Sequence, residues 1–280
     1  MQRTIQYIKT ELTPCYPETE IEGFIRIIFE SVLSMSYTQL ILEKDKVLTE
    51  TDFNTIEKIV SALKTHQPIQ YILGETEFYD LTLKVNPAVL IPRPETEELV
   101  QWICKSNLKP GARILDIGTG SGCIALALKN ELKQVEVNGV DISVKALETA
   151  KDNAKRNGLN VEFAEVDILN WKQFEWQQYD LIVSNPPYVR ECEKAQMDAN
   201  VLDYEPEGAL FVEDENPLIF YRTIAEFALD KLNSGGWLFF EINEFLGSEM
   251  VGLLKELGYN AIELRPDING KDRMLACRKM

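Results

Sequence analysis

Histidine occurs only once in this chain, at position 66, and the five cysteines lie far apart, at positions 15, 104, 123, 192 and 277. A structural zinc site uses four cysteine or histidine ligands, usually paired at short spacings such as C-x-x-C, and the sequence has no such pair. Scattered cysteines of odd number also give no disulfide framework. We therefore expect no bound metal and a reducing, cytoplasmic environment.

The sequence also has no apolar run of membrane-spanning length, and its first residues show no apolar core of a signal peptide. Positive charge is scarce, since 29 Lys and Arg stand against 45 Asp and Glu, which gives a formal net charge of -16. Binding to nucleic-acid phosphates needs a concentrated basic face. We therefore expect no membrane and no direct nucleic-acid contact, whereas a basic protein partner is compatible with this charge.

Glycine is nearly absent from the first 66 residues, and apolar residues such as Phe24 recur there at helical spacing. This pattern predicts a small helical bundle over residues 1–74, whose expected task is substrate recognition. Residues 75–109 are predicted to form a hairpin and a linker. Residues 110–280 are predicted to form the larger domain, which carries the chemistry.

Strand and helix patterns alternate in that larger domain. Apolar strands recur between amphipathic helices, and two short strands with a Gly-containing loop end the sequence. The order strand, helix, strand predicts parallel pairing. We therefore expect an α/β fold with a mostly parallel seven-stranded sheet that ends in an antiparallel hairpin.

A glycine-rich turn connects the strand predicted at 113–117 to the next helix. A dinucleotide fingerprint, G-x-G-x-x-G, would require glycine at Cys123, but the chain has G-x-G-x-G with an acid two residues before it. Glycines let a ligand approach the backbone, and the helix N-terminus presents free N–H groups. The turn is therefore a candidate binding loop. Its residues are Asp116, Gly118, Thr119, Gly120, Ser121 and Gly122.

Two further acids follow later strands. Asp141 lies about 20 residues beyond the glycines, where an acid that accepts ribose hydroxyls is expected. Asp167 follows the next strand, and Ile168 beside it is placed to pack on a planar ring. The alternative for both acids is to cap a following helix, a task that Ser143 can share with Asp141, but the glycine turn upstream favours ribose binding by Asp141. Because parallel strands end at one edge of a sheet, we expect these residues and the glycine turn to form one site.

The sequence Ser-Asn-Pro-Pro-Tyr occupies residues 184–188, after a buried strand. Its prolines cannot continue a strand ladder, so a stiff loop is predicted at the strand end. The side-chain amide of Asn185 and the carbonyl of Pro186 are placed to accept the two protons of a planar NH2 group, with Pro187 stiffening the loop and Tyr188 covering the group's face. The alternative is a proline-rich turn that simply ends the strand.

Residues 92–97, Pro-Arg-Pro-Glu-Thr-Glu, form a rigid entry into a predicted helix. Glu95 and Glu97 suit the helix dipole and are expected to cap the first turn. Arg93 is expected to be the charged tip of a loop that closes over a ligand. The acidic, irregular residues 189–215 are expected to form an ordered excursion over the same site.

These motifs together resemble the N5-glutamine methyltransferases that modify peptide-chain release factors. The glycine turn and Asn-Pro-Pro-Tyr are shared with many enzymes that methylate amino groups, including DNA adenine methyltransferases. The Pro-Arg-Pro-Glu-Thr-Glu stretch and the helical N-terminal domain are more specific. The resemblance covers nearly the whole chain and rests on residues 68–74, 78–79, 91–97, 116–122, 184–188, 205–206 and 267–273.

The resemblance implies a class I methyltransferase (Rossmann-like) domain in which S-adenosyl-L-methionine is converted to S-adenosyl-L-homocysteine without a metal. It implies that the substrate is the glutamine of the Gly-Gly-Gln loop in class-1 release factors, and we expect a monomer. The implied catalytic residues are Asn185, Pro186 and Tyr188. The implied substrate-binding residues are Asn185, Pro186, Pro187, Tyr188 and Arg93. The implied cofactor-binding residues are Asp116, Gly118, Thr119, Gly120, Ser121, Gly122, Asp141, Asp167, Ile168 and Asn185.

The chain departs from the family at Ile168, where relatives often carry an aromatic residue. Two other functions are compatible with the motifs. A nucleic-acid amino methyltransferase would use the same Asn-Pro-Pro-Tyr loop but needs a basic groove, which this acidic chain does not offer. A nucleotide-binding regulatory module would have the fold without turnover.

Overall fold

The computed structural model describes residues 1–43 and 46–280. The chain divides into two compact units, the first made of Met1–Gly74 and Asp198–Tyr204, the second of Glu75–Met197 and Glu205–Met280. Residues 75–109, predicted as a hairpin and linker, thus belong to the second unit. Among the described residues no helix has the length and apolar character needed to cross a membrane.

The described residues form eleven α-helices, eleven strands and three short 3-10 helices. The helices are α1 (Gln2–Leu12), α2 (Glu18–Leu33), α3 (Tyr37–Leu42), α4 (Glu50–Leu63), α5 (Ile69–Leu73), α6 (Pro94–Cys104), α7 (Cys123–Glu131), α8 (Val144–Arg156), α9 (Ala199–Tyr204), α10 (Ile219–Lys231) and α11 (Gly247–Glu256). The strands are β1 (Glu75–Phe78), β2 (Leu81–Lys84), β3 (Arg113–Ile117), β4 (Glu136–Asp141), β5 (Glu162–Glu165), β6 (Tyr179–Ser184), β7 (Val189–Arg190), β8 (Phe211–Val212), β9 (Leu232–Glu241), β10 (Asn260–Pro266) and β11 (Asp272–Arg278). The 3-10 helices are Ile168–Gln173, Glu191–Gln196 and Glu207–Ala209.

The first unit is helical, as predicted. Helices α1, α2 and α4 supply its core, because their apolar residues recur on one face, and Ile8, Ile28 and Ile56 are fully buried there. The segment Asp198–Tyr204 joins this unit through the Tyr204 hydroxyl, which donates to the carbonyl of Thr65 at 2.7 Å.

The second unit contains a seven-stranded sheet in the order β10-β11-β9-β6-β3-β4-β5. Strands β9, β6, β3, β4 and β5 pair in parallel, and β11 is antiparallel to both β9 and β10. This confirms the predicted mostly parallel sheet with a C-terminal antiparallel hairpin. Successive residues of β3 face opposite layers, since Ile114 packs with Leu99 and Leu126, whereas Leu115 packs with Tyr221.

The hairpin predicted within residues 75–109 is also present, as β1 paired antiparallel with β2. Its two-residue turn places Tyr79 and Asp80 at positive φ, 46° and 62°. Glu97 lies in the first turn of α6 as expected, but its carboxylate accepts the Tyr79 backbone N–H at 2.8 Å instead of capping its own helix. The acid therefore ties the hairpin turn to α6.

The register of the parallel strands brings four loops to one edge of the sheet. Ile117 pairs with Val140 and with Ser184, and Asp141 pairs with Glu165. The loops that follow β3, β4, β5 and β6 consequently leave the sheet side by side, as expected for ligand-binding loops of an open α/β sheet.

Candidate active site

A cavity of about 510 Å³ opens at this edge of the sheet. Its volume lies within the range of roughly 300–1,000 Å³ found for small-molecule and cofactor sites. The predicted site residues that line it are Arg93, Gly118, Thr119, Gly120, Ser121, Asp141, Asp167, Ile168, Asn185, Pro186 and Pro187. Asp116, Gly122 and Tyr188 were predicted with them but are not among the lining residues.

The glycine turn has the left-handed backbone that its glycines permit. Gly120 has φ +56°, and a Cβ built on it would meet nothing within 4 Å, so its backbone is open to a ligand. Gly122 has φ +83° and serves packing instead, because a Cβ there would lie 3.2 Å from both the Ala150 Cβ and the Leu126 Cδ1. The hydroxyl of Ser121, which lines the cavity, is buried and has no hydrogen-bond partner among the described residues.

Asp116 is completely buried beneath this turn. Its Oδ2 accepts the Thr119 hydroxyl at 2.6 Å and the Ala125 backbone N–H at 3.3 Å, so it ties the turn to α7. Its Oδ1 has no partner among the described residues. Burial raises the pKa of Asp116 to about 7. The structure thus places this carboxylate behind the turn, with one oxygen unused.

Asp141 ends β4 at the cavity wall. Its Oδ2 accepts the Gly120 N–H at 2.8 Å, and its Oδ1 accepts the Ser143 N–H at 2.9 Å. The cap of α8 is Ser143, whose hydroxyl accepts from the Ala146 N–H at 3.2 Å. Burial raises the pKa of Asp141. Because each carboxylate oxygen has two lone pairs, Asp141 can still accept two hydroxyl protons from a ligand.

Asp167 performs the capping role that we considered as its alternative. Its Oδ1 accepts the Leu169 N–H at 2.9 Å, and its Oδ2 accepts the Asn170 side-chain amide at 2.7 Å. Asp167 therefore begins the 3-10 helix Ile168–Gln173, and it lines the cavity as well. Ile168 is 9% exposed and presents an apolar side chain to the cavity.

The Asn-Pro-Pro-Tyr loop is held at both ends. The Ser184 hydroxyl donates to the Ile117 carbonyl at 2.7 Å, and the Tyr188 N–H donates to the Leu210 carbonyl at 3.1 Å. The Asn185 amide nitrogen donates to the Thr96 hydroxyl oxygen at 3.4 Å. No described group donates a hydrogen bond to the Asn185 Oδ1 or the Pro186 carbonyl. These two acceptors at the cavity wall are available to a ligand.

The ring of Tyr188 is fixed through its hydroxyl, which donates to the Glu241 Oε1 at 3.1 Å. Burial, followed by the charge of Glu241, raises the pKa of Tyr188, so the hydroxyl stays protonated. Glu241 is 1% exposed and also accepts the Thr96 hydroxyl at 2.6 Å. We did not predict either Thr96 or Glu241. The available signal for Glu241 was an acid at the end of a buried strand, the same signal that singled out Asp141.

Arg93, expected to be the charged tip of a loop, lines the cavity, and its charge is paired within the protein. It forms an ion pair of 2.5 Å with Glu205, whose Oε2 also accepts the Ile91 N–H at 3.1 Å. The Glu205 side chain is only 2% exposed, so the loop at residues 91–94 is anchored rather than open. The excursion after β7 does border the site, since Pro206 and Ala209 line the cavity.

Fold and cavity together define a methyltransferase domain. The family model "Methyltransferase small domain" matches residues 96–203, and the model "PrmC N-terminal domain" matches residues 4–74. A methyltransferase from Pyrococcus furiosus has the same fold, with 22% identity, a TM-score of 0.52, and coverage of 71% of this chain and 89% of that chain. A 16S rRNA methyltransferase from T. thermophilus, solved with AdoMet and guanosine, has 20% identity and a TM-score of 0.52, covering 74% of this chain and 50% of that chain.

The whole chain also matches curated relatives at higher identity. The release factor glutamine methyltransferase of Flavobacterium psychrophilum is 47% identical, over 94% of this chain and 94% of the relative. The protein of the same name from Bacteroides thetaiotaomicron is 43% identical over 100% of both chains. The chain therefore belongs to the release factor glutamine methyltransferase family.

Proposed function

We propose that this protein transfers a methyl group from S-adenosyl-L-methionine to the side-chain amide nitrogen (N5) of the glutamine in the Gly-Gly-Gln motif of class-1 peptide chain release factors. The observation that carries the proposal is the pair of available acceptors, Asn185 Oδ1 and the Pro186 carbonyl, on the wall of the same cavity as the glycine turn and Asp141. Two acceptors of this kind match the two protons of a primary amide. Family membership supplies the substrate class.

The residues around the cavity fit the cofactor. The buried and unpartnered Ser121 hydroxyl and Asp116 Oδ1 would find partners in a polar, amino-acid-like end of a ligand at the glycine turn. Asp141 would accept the ribose hydroxyls, and the apolar Ile168 beside Asp167 would contact the base. When bound, S-adenosyl-L-methionine supplies an electrophilic methyl group on a sulfonium and leaves as S-adenosyl-L-homocysteine.

The protein's own contribution is to orient a poor nucleophile. An amide nitrogen reacts weakly because its lone pair is delocalised into the carbonyl. Asn185 Oδ1 and the Pro186 carbonyl accept both amide protons, which fixes the amide plane, and with it the direction of the nitrogen lone pair perpendicular to that plane, and stabilises the positive charge that develops on nitrogen. Pro187 stiffens the loop, and Tyr188, which is not among the residues that line the cavity, holds the loop through its hydrogen bond to Glu241. One proton then leaves the nitrogen to water or a neighbouring carbonyl, which gives N5-methylglutamine.

The test is mass spectrometry of a purified release factor incubated with this protein and methyl-labelled S-adenosyl-L-methionine. One added methyl is expected on the glutamine of the Gly-Gly-Gln peptide, and none on a release factor whose motif glutamine is replaced by alanine. Asn185→Ala is expected to lower the rate at least 100-fold, since it removes one of the two acceptors. An unmodified peptide in the presence of bound cofactor, or full activity of Asn185→Ala, contradicts the proposal.

Three narrower expectations belong to this proposal. The helical first unit is the substrate-recognition domain, and the enzyme acts as a monomer without direct nucleic-acid contact, in keeping with its net charge of -16. The reaction takes place in the cytoplasm, where the five free thiols are stable. Labelled methyl transfer to DNA or RNA in the same assay, with none to the release factor, would replace the protein substrate by a nucleic acid.

A further inference from the structure

We infer that Thr96 and Glu241 are positioning residues that fix which side of the Asn185 amide faces the cavity, and that Glu241 also fixes the Tyr188 ring. The inference rests on the proposed function, because it concerns the orientation of the acceptor that holds the substrate amide. Thr96 is among the residues that line the cavity, and Glu241 is not. They act through Asn185 and Tyr188.

The contacts form one continuous chain. The Asn185 Nδ2 donates to the Thr96 Oγ1 at 3.4 Å, and the Thr96 hydroxyl donates to the Glu241 Oε2 at 2.6 Å. The other carboxylate oxygen, Oε1, accepts the Tyr188 hydroxyl at 3.1 Å. Three elements are joined in this way, namely the first turn of α6, the end of β9 and the loop after β6. The link from Thr96 to Glu241 spans 145 residues of sequence.

The direction of these hydrogen bonds follows from the number of protons that each group can donate. A hydroxyl has one proton to donate, and an ionised carboxylate can only accept. Because Thr96 donates its proton to Glu241, its oxygen toward Asn185 can only accept. The Nδ2 of Asn185 therefore lies against Thr96, and the Oδ1 is the atom left for the substrate. The reversed amide would set an NH2 group against the NH2 group of the substrate.

The setting of Glu241 supports a functional role over a purely structural one. The carboxylate is 1% exposed, and no described cation lies within 4.0 Å of it. Burial raises the pKa of Glu241, while the hydroxyls of Thr96 and Tyr188 and the charge of Arg273 lower it and Glu95 raises it. An acid held only by hydroxyls is a costly way to join two elements, because a neutral acceptor would avoid the desolvation of a charge. The Thr96 and Tyr188 hydroxyls and the charge of Arg273 favour the ionised form of Glu241, and in that form the carboxylate can only accept.

The test uses three variants in the release-factor methylation assay with saturating cofactor. Thr96→Val keeps the shape of the side chain and removes the hydroxyl that accepts from Asn185, so the orientation of the Asn185 amide is no longer fixed. The kcat is therefore expected to fall on the order of 10- to 100-fold. The KM for S-adenosyl-L-methionine should change less than about twofold. Thr96→Ser keeps the hydroxyl and should retain most of the activity. Glu241→Gln introduces an amide that can donate to Thr96 and so reverse the direction of these hydrogen bonds. Its kcat should therefore also fall.

Thr149 provides a matched control in the same unit. It is 3% exposed, accepts the Asn86 amide at 2.9 Å and donates to the Lys145 backbone carbonyl at 3.2 Å. Like Thr96 it accepts from an asparagine amide and donates its one proton, but it does not line the cavity and its acceptor is a carbonyl rather than a carboxylate. Thr149→Val should lose a similar amount of thermal stability as Thr96→Val and keep kcat. Wild-type kcat in Thr96→Val, or an equal loss in Thr149→Val, overturns the inference. If the wild-type enzyme leaves the release factor unmethylated, the proposed function fails instead.

Discussion

Glu205→Ala tests how the loop at the cavity wall is held. The substitution removes the acceptor of the Ile91 N–H and the partner of Arg93, two contacts that Glu205 makes with a side chain only 2% exposed. A hydrogen bond to a charged group contributes about 1.5–3 kcal/mol, and breaking a fully buried ion pair costs about 3–5 kcal/mol. The Arg93 side chain is 33% exposed, so water screens the charge left behind. We therefore expect a loss of about 2–3 kcal/mol in the free energy of unfolding.

The measurement is urea denaturation of the wild type and two variants, with the midpoint and slope fitted together. The control is Glu75→Ala, which breaks the ion pair of 2.6 Å between Glu75 and Arg156. These two side chains are 42% and 46% exposed, respectively. Exposed pairs contribute little, so a loss below about 1 kcal/mol is expected there. Cofactor affinity, measured by calorimetry, should fall in Glu205→Ala alone, because Arg93 lines the cavity. Equal losses of stability in the two variants would refute the anchoring role of Glu205.

Two further predictions concern Asp141 and Asp116, the two carboxylates that accept hydrogen bonds from the glycine turn. Asp141→Ala should weaken S-adenosyl-L-methionine binding at least tenfold by calorimetry, and unchanged affinity would leave that acid a purely structural role. Ser143→Ala removes the cap of α8 and leaves the Asp141 carboxylate in place, so it should cost about 1 kcal/mol of stability and, because Ser143 also lines the cavity, weaken binding less than Asp141→Ala does. Burial raises the pKa of Asp116 to about 7, compared with about 3.9 in the unfolded chain. The folded state therefore keeps this proton to a higher pH than the unfolded state does. The resulting contribution to the free energy of unfolding is fully present below about pH 4 and is lost as the pH rises to about 7. Asp116→Asn should therefore show a smaller decrease in unfolding free energy between about pH 5 and about pH 7 than the wild type, and identical decreases would contradict this assignment.

Local patterns in the sequence determined the elements and their order. Ser143 precedes α8 as its cap, and the two prolines follow the end of β6, as the sequence predicted. The shared edge followed from topology, because parallel strands joined by helices all end on the same side. The glycine turn, Asp141 and Asn185 were thus placed at one cavity before any contact was known.

Only the tertiary structure decided what each polar side chain contacts. Strand β9 begins at Leu232, which pairs with Tyr179 ahead of a register shift. The partner of Arg93 lies 112 residues away, and that of Thr96 lies 145 residues away. Helical and strand periodicity describe only neighbouring residues, so such pairs leave no local pattern. The hydrogen bond between the Asn185 amide and Thr96 accordingly depends on the packing of α6 against β9.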